Sequence, residues 1–284
     1  ARDAVTKIKS NLMAGNRQVY DADLSGFFDN IPHDKLIILV EKRIADKRII
    51  KLIKQWLKAP YFDDDKKLHK TKKGTPQGGV ISPLLANIYM DIIDKAVSRI
   101  EGQFHKYGVS IVRYADDFIL MGRKMPQKCL DYLKQMLAKM ELSLNEEKTL
   151  LINTYRDSFN FLGFTFRYIK DLYKRDKKYL DISPSKKSLA SMRSNLRDYF
   201  KYNLHKSPLK IAKDLSMKLR GWINYFDIKG VSYPRNSQRK IRYYLKDKLY
   251  RFYRRKSQRR CKLYRQDAYE ILVQKYNMYN ILPY

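Results

Sequence analysis

The chain reads as an α+β protein. An antiparallel sheet with helices occupies residues 1–180, and a basic unit built only of helices occupies residues 181–284. Three observations predict this. Short alternating runs such as Gln18–Leu24 and Ile111–Met121 are interleaved with helical spacing before residue 180. Beyond it, apolar residues recur only at intervals of three and four. The charge divides at the same place: residues 1–180 carry 34 Lys/Arg and 22 Asp/Glu, net +12, whereas residues 181–284 carry 26 and 7, net +19.

In chain order, the Gln18–Leu24 strand runs into a turn closed by Asn30 and Pro32. Helical spacing follows at Leu36, Leu39, Val40 and Ile44. It resumes at Ile49, Ile50, Ile53, Trp56 and Leu57, after a break near Asp46. Residues 61–79 are polar and end in a Gly-rich corner, as a hairpin or loop would. A helix is expected from Ser82 to Ile100, with Pro83 in the first turn, where its missing N–H does no harm. The acidic pair Asp116–Asp117 sits at the tip of a hairpin, followed by a helix carrying Leu130, Leu133, Leu137 and Met140. Phe159–Phe166 reads as one more alternating strand, with Gly163 marking a bulge or a close backbone approach. After the break at Asp181–Lys187, three helices carry Leu189, Met192, Leu196 and Phe200; Ile211, Leu215, Leu219, Trp222 and Phe226; and Ile241, Leu245, Leu249 and Phe252. These stripes are core positions, and the opposite faces are dense in Lys and Arg.

Composition excludes several classes. No apolar run approaches the ~20 residues of a membrane helix; the best candidate, Val80–Ile93, is broken by Ser82, Pro83, Asn87 and Asp91. The N-terminus lacks the apolar core of a secretory signal, and it starts without Met and in mid-pattern, as a fragment or a processed chain would. Two cysteines, Cys129 and Cys261, build neither a disulfide framework nor a Cys-rich zinc site, and they suit a reducing compartment. A net charge of +31 exceeds what solubility requires, because such self-repulsion destabilises a fold unless a polyanion relieves it. Twenty-three tyrosines offer faces on which bases can stack. Nucleic acid is the expected partner, and an anionic membrane surface is the alternative that composition leaves open.

Neighbouring strand residues point to opposite faces, so Asp116 and Asp117 can share a site only where the chain turns. Asp23, at the end of the first strand, is a third candidate. Three converging carboxylates cannot all stay ionised without a cation. Mg²⁺ suits them, being hard and commonly held by one or two carboxylates plus substrate phosphates. A pair of such ions would clamp an in-line phosphoryl transfer. Asp29 and Asp34 read as turn or cap residues.

Five stretches occur in an order that resembles the palm motifs of reverse transcriptases: DADLSGFFDNIPHDKL, GTPQGGVISPLLANIYMDIID, RYADDF, LNEEKT and FNFLGFTF. Their wording is most similar to bacterial group II intron reverse transcriptase–maturases, and LRGWINYF resembles part of that family's thumb, or maturase, region. The resemblance implies a right-hand polymerase palm followed by a helical basic thumb, and an RNA-directed DNA polymerase using two Mg²⁺ ions, for which Mn²⁺ can substitute. Its partners would be an RNA template, structured intron RNA, a DNA primer and dNTPs. A splicing maturase with secondary or lost polymerase activity, or a defence- or CRISPR-associated relative, is the alternative.

The same resemblance assigns roles. Asp23 and Asp116 correspond to direct metal ligands, with the carbonyl of Leu24 a further one and Asp117 a weaker or indirect one. Phe28 corresponds to an aromatic gate that excludes a 2′-hydroxyl and therefore argues against an RNA-directed RNA polymerase. Gly26 and Phe27 flank it in the substrate site, although Phe27 alone reads as core. Gln77 corresponds to a nucleotide-contacting glutamine, and Gly78 lets backbone approach the nascent base pair. Lys148 is either a general acid toward pyrophosphate or a salt-bridged surface lysine. Leu162, Gly163 and Phe164 correspond to the primer grip. Most of the family's N-terminal fingers would precede residue 1.

Overall fold

The computed structural model describes residues 1–62, 68, 69, 71, 73–75, 79–171, 177–255, 263 and 266–282. It falls into two compact units that divide between Asn153 and Thr154, apart from Arg2, which groups with the second.

The first unit opens with helix α1 (Arg2–Met13), which buries Val5, Ile8 and Leu12, one helical turn apart. Strand β1 (Gln18–Ala22) follows, then α2 (Phe27–Asn30), α3 (His33–Glu41) and α4 (Lys47–Lys58). The expected break at Asp46 is a helix cap: its carboxylate accepts the backbone N–H of Arg48 and starts α4. Short strands β2 (Tyr61–Phe62) and β3 (Leu68–His69) pair in antiparallel fashion. Helix α5 (Ser82–Ser98) has Pro83 in its first turn and ends where Arg99 turns extended, two residues before Ile100. Then come α6 (Gln103–Lys106), the hairpin of β4 (Ser110–Tyr114) and β5 (Asp117–Gly122), α7 (Gln127–Lys139) and β6 (Leu150–Asn153).

The sheet runs β4-β5-β1-β6, antiparallel throughout. Tyr20 and Ala22 lie opposite Leu120 and Phe118, and this face packs with Leu36, Tyr89, Ile93 and Leu133 of α3, α5 and α7 in one core. The opposite set of β1 residues includes Asp21, and the core therefore orients the acidic face.

In the second unit, β7 (Phe159–Phe161), β8 (Phe164–Lys170) and β9 (Lys178–Pro184) form an antiparallel sheet. Phe159–Phe166 is thus a hairpin and not one strand. Leu162 and Gly163, at φ 48° and 78°, make a two-residue turn of the kind that matches strand twist. The predicted close approach does occur there: a Cβ on Gly163 would meet Ser188 Oγ at 2.9 Å and the Phe226 ring at 3.5 Å.

Helices α8 (Lys186–Tyr202), α9 (Pro208–Phe226), α10 (Arg235–Arg255) and α11 (Ala268–Tyr276) follow. Ser185 and Ser207 cap α8 and α9. The three predicted stripes meet in one core around Leu196, Leu215, Leu219, Leu245 and Leu249. Helix α11, unforeseen, adds Tyr269 and Leu272 to that core. The sheet that composition assigned to domain 1–180 groups here with the helices, because Phe164 packs on Phe226 at 4.9 Å and Gly163 O accepts the Ser185 N–H at 2.8 Å. Among the described residues no helix is long and apolar enough to cross a membrane.

Candidate active site on the first sheet

The β4–β5 loop contains only Ala115 and Asp116, since Tyr114 pairs with Asp117. Ala115 takes φ 56°, a conformation costly for an L residue with a Cβ. Its neighbour on β4 stabilises it. Arg113 grips Asp94 of α5 through Nε at 2.9 Å and Nη2 at 2.5 Å, and gives Nη1 to the Ala115 carbonyl at 2.8 Å and to Asn87 Oδ1 at 2.7 Å. A planar five-donor fork can serve helix and turn together. The acidic tip is therefore clamped to α5, and Arg113 is a positioning residue that sequence reasoning passed over.

Residues two apart share a face of a pleated strand, so Asp21 and Asp23 stand together. The register puts Ala22 opposite Phe118, and one further step brings Asp23 level with Asp117. The electrostatics agree. The Asp117 carboxyl is pushed up by desolvation, then by the charges of Asp116 and Asp23. Asp21 is pushed up to about 6, first by burial and then by Asp117 and Asp23. Asp21 is the fourth carboxylate of the cluster and was missed; the D-x-D spacing on a strand was the available signal.

Asp23 is anchored at the strand end. Its carbonyl accepts Asn145 N–H at 2.8 Å, its N–H reaches Thr149 Oγ1 at 3.4 Å, and Leu24 bridges Leu144. This strap delivers Lys148, whose Nζ lies 3.6 Å from Asp23 Oδ2. The salt bridge of the second reading of Lys148 is present, and it sets the ammonium beside a candidate metal ligand.

Gly26 caps α2 at φ 52°, and a Cβ there would meet Asn30 Nδ2 at 3.0 Å. Phe27 is buried in the core, as its neighbours predicted, while Phe28 is half-buried with its ring edge-on to Phe27 at 5.3 Å. Thr75 N–H bonds the Phe28 carbonyl at 2.7 Å, and a Cβ on Gly74 would strike that carbonyl at 2.7 Å. The backbone entering the TPQGG stretch therefore lies against Phe28. Gln77 and Gly78 themselves lie outside the described residues.

The Leu162–Gly163–Phe164 turn belongs to the second unit and is held from two helices. Ser188 Oγ donates to Gly163 O at 2.8 Å, Tyr225 OH donates to Leu162 O at 3.0 Å, and Phe164 is buried against Tyr225 and Phe226.

Asp21 and Asp117, whose proton affinity is raised by burial and then by the charges of their acidic neighbours, stand with Asp23 and Asp116 at the mouth of a sheet, a donor set suited to a hard divalent cation. Among the described residues no three His, Cys, Asp or Glu side chains are drawn close enough to form a ligand set.

The pattern described as reverse transcriptase (RNA-dependent DNA polymerase) matches residues 3–166, and the group II intron maturase-specific domain matches residues 189–268. The group II intron-encoded protein LtrA of Lactococcus lactis subsp. cremoris is 27% identical over 75% of the chain and 49% of its own length. The protein YkfC of Escherichia coli is 31% identical over 52% of the chain and 46% of its own. The chain thus spans about half the length of these relatives. Among solved structures, apo telomerase from Candida tropicalis covers 79% of the chain at 16% identity and a TM-score of 0.48.

Proposed function

We propose, for a chain that belongs to the reverse transcriptase family and carries a group II intron maturase-specific domain, that it extends a DNA primer along an RNA template. The observation that carries this is the convergence of Asp21, Asp23, Asp116 and Asp117 in charge and register at one end of the sheet. Asp23 and Asp116 would hold two Mg²⁺, with the Leu24 carbonyl and Asp117 in support, and Mn²⁺ would suit the same donors. Such ions supply acidity to a bound hydroxyl and neutralise charge on a departing phosphate.

The protein's own residues do the rest. Phe28 denies space to a 2′-hydroxyl. Gly26 lets the chain turn tightly beneath the sugar. The resemblance assigns the Leu162–Gly163 turn to the primer terminus. Lys148 carries a proton at Nζ beside the metal ligands, where a leaving pyrophosphate would take it. The resemblance assigns Gln77 and Gly78, which lie outside the described residues, to the incoming nucleotide and the new base pair.

The test is Mg²⁺-dependent extension of a DNA primer on an RNA template by the Asp23→Ala and Asp116→Ala variants. Both should lose extension by at least a thousandfold while RNA binding survives. Extension retained by either variant would end the assignment.

A second reading rests on the maturase-specific match and the net +19 of residues 181–284. The chain then also binds structured intron RNA to assist splicing. Splicing assistance by an Asp23→Ala/Asp116→Ala double variant would separate this role from polymerisation.

A further inference from the structure

Phe28 rides on α2, a helix of only four residues, Phe27–Asn30. A single turn has too few hydrogen bonds to hold its own geometry, so its side chains point where outside contacts send them. Phe27 is fixed by burial in the core, but Phe28 is half-buried and needs a second support. Asn30 supplies it. Its Nδ2 donates to the Ser25 carbonyl at 3.0 Å, across the turn that precedes the two rings, and its Oδ1 accepts Lys73 Nζ at 2.7 Å. Ser25 is itself tied down, because its N–H bonds the Ser143 carbonyl at 2.9 Å.

Lys73 begins a clasp that continues along the backbone. Gly74 N–H bonds the Ile31 carbonyl at 2.7 Å, Thr75 N–H bonds the Phe28 carbonyl at 2.7 Å, and the Gly74 carbonyl accepts His33 Nε2–H at 2.6 Å. Glycine permits this approach: Gly74 sits at φ 84°, and a Cβ there would meet Asp29 Cα at 2.8 Å as well as the Phe28 carbonyl. His33 opens α3, whose Leu36 and Val40 are buried, so the clasp is fastened to the core. The turn bearing Phe28 and the entry to the TPQGG stretch are thereby one body. Asn30 is the side chain that joins them, since an amide donates from one atom and accepts at the other.

We propose that Asn30 is a positioning residue for sugar selection. It latches the Phe28 turn to Ser25 on one side and to Lys73 on the other, and so keeps the ring where a 2′-hydroxyl would fall. The inference deepens the polymerase reading above and rests on Phe28 as the gate. Small displacements of a positioning group change rates by large factors, so a latch behind the ring is felt at the sugar.

The test is single-nucleotide insertion by the full chain on a DNA primer annealed to an RNA template, with dATP and ATP measured separately. Asn30→Ala should lower the ratio of kcat/KM for dATP over ATP about fivefold, within the range that shape discrimination spans. Part of that fall should be a gain on ATP, which general damage to the fold would not produce. Asn30→Asp is nearly isosteric; it keeps an acceptor for Lys73 and loses the donor to Ser25. It should match the alanine variant, and it carries the test if Asn30→Ala fails to fold. The Asn30→Ala/Phe28→Val double variant should be no less selective than Phe28→Val alone, because the latch then has no ring to position. An unchanged ratio in both Asn30 variants, or losses that multiply in the double variant, would overturn the proposal. Hydrogen exchange reads the latch without catalysis: Asn30→Ala should speed exchange of the Asp29 and Thr75 amides together, by about tenfold. Faster exchange at Asp29 alone would overturn the link to residues 73–75. Absence of Mg²⁺-dependent dATP insertion by the parent chain would count against the polymerase reading and remove the role in selection, and exchange would then decide the latch by itself.

Discussion

Arg113 donates a 2.8 Å hydrogen bond to the carbonyl of Ala115, the residue at φ 56° that aims Asp116 out of the hairpin. The same guanidinium is anchored on Asp94, with both side chains largely covered. Removing Arg113 therefore releases the turn and strands a partly buried carboxylate. Arg113→Ala should cost about 2 kcal/mol in urea unfolding. It should also lower kcat for primer extension ten- to a hundredfold with little change in KM, because the ligands are misplaced and the substrate contacts are intact. Arg113→Lys should recover stability better than kcat, since an ammonium cannot serve Asp94 and Ala115 together.

Asp21 carries a pH signature. Its carboxyl rises from 3.8 to about 6 on folding, so the folded state holds the proton more tightly than the unfolded chain. Its contribution to stability is greatest below pH 4 and is lost as pH climbs through 6. Asp21→Asn should accordingly stabilise the metal-free protein at pH 7.5 by up to about 3 kcal/mol. The difference from the parent should vanish near pH 3.5. Chemical denaturation across this range, with chelator present, measures it; a gain that persists at low pH would refute the assignment.

Phe28 stands half-buried beside the buried ring of Phe27. Phe28→Val should fold normally, because the core contact belongs mainly to Phe27. Discrimination against ribonucleotides should fall about 10- to 100-fold, the scale on which shape alone rejects a hydroxyl. Single-nucleotide insertion of dATP and ATP gives the ratio directly, and an unchanged ratio would show that the gate lies elsewhere.

Gly163 has both a positive φ and a neighbour at 2.9 Å from any added Cβ. Gly163→Ala should cost about 2 kcal/mol, because backbone strain and the displacement of Ser188 act together. The KM for template–primer should rise more than the KM for dNTP, which steady-state kinetics resolves. Equal changes in the two would remove the turn from primer positioning.

Much of this molecule was legible in its residues. Helical spacing placed α5, α7, α8, α9 and α10 within a few residues, because burial of one face is a local repeat that three-dimensional context seldom erases. Asp116 and Asp117 stood out because two adjacent acids between apolar runs have no place in the middle of a strand. Other features were not legible. LGF was read as mid-strand because alternation persists through a two-residue turn, and only pairing distinguishes the two. Helix α11 was overlooked because its short apolar stripe means little until the other helices supply a core.

The residues by themselves determined the elements, the basic second half and the identity of the acids, since spacing, capping and charge are properties of neighbours along the chain. Only the tertiary structure decided that Asp21 joins those acids and that Arg113 holds their turn. Each of these depends on register and packing between segments far apart in the chain, where field and burial arise from the assembled surroundings and not from the residue itself.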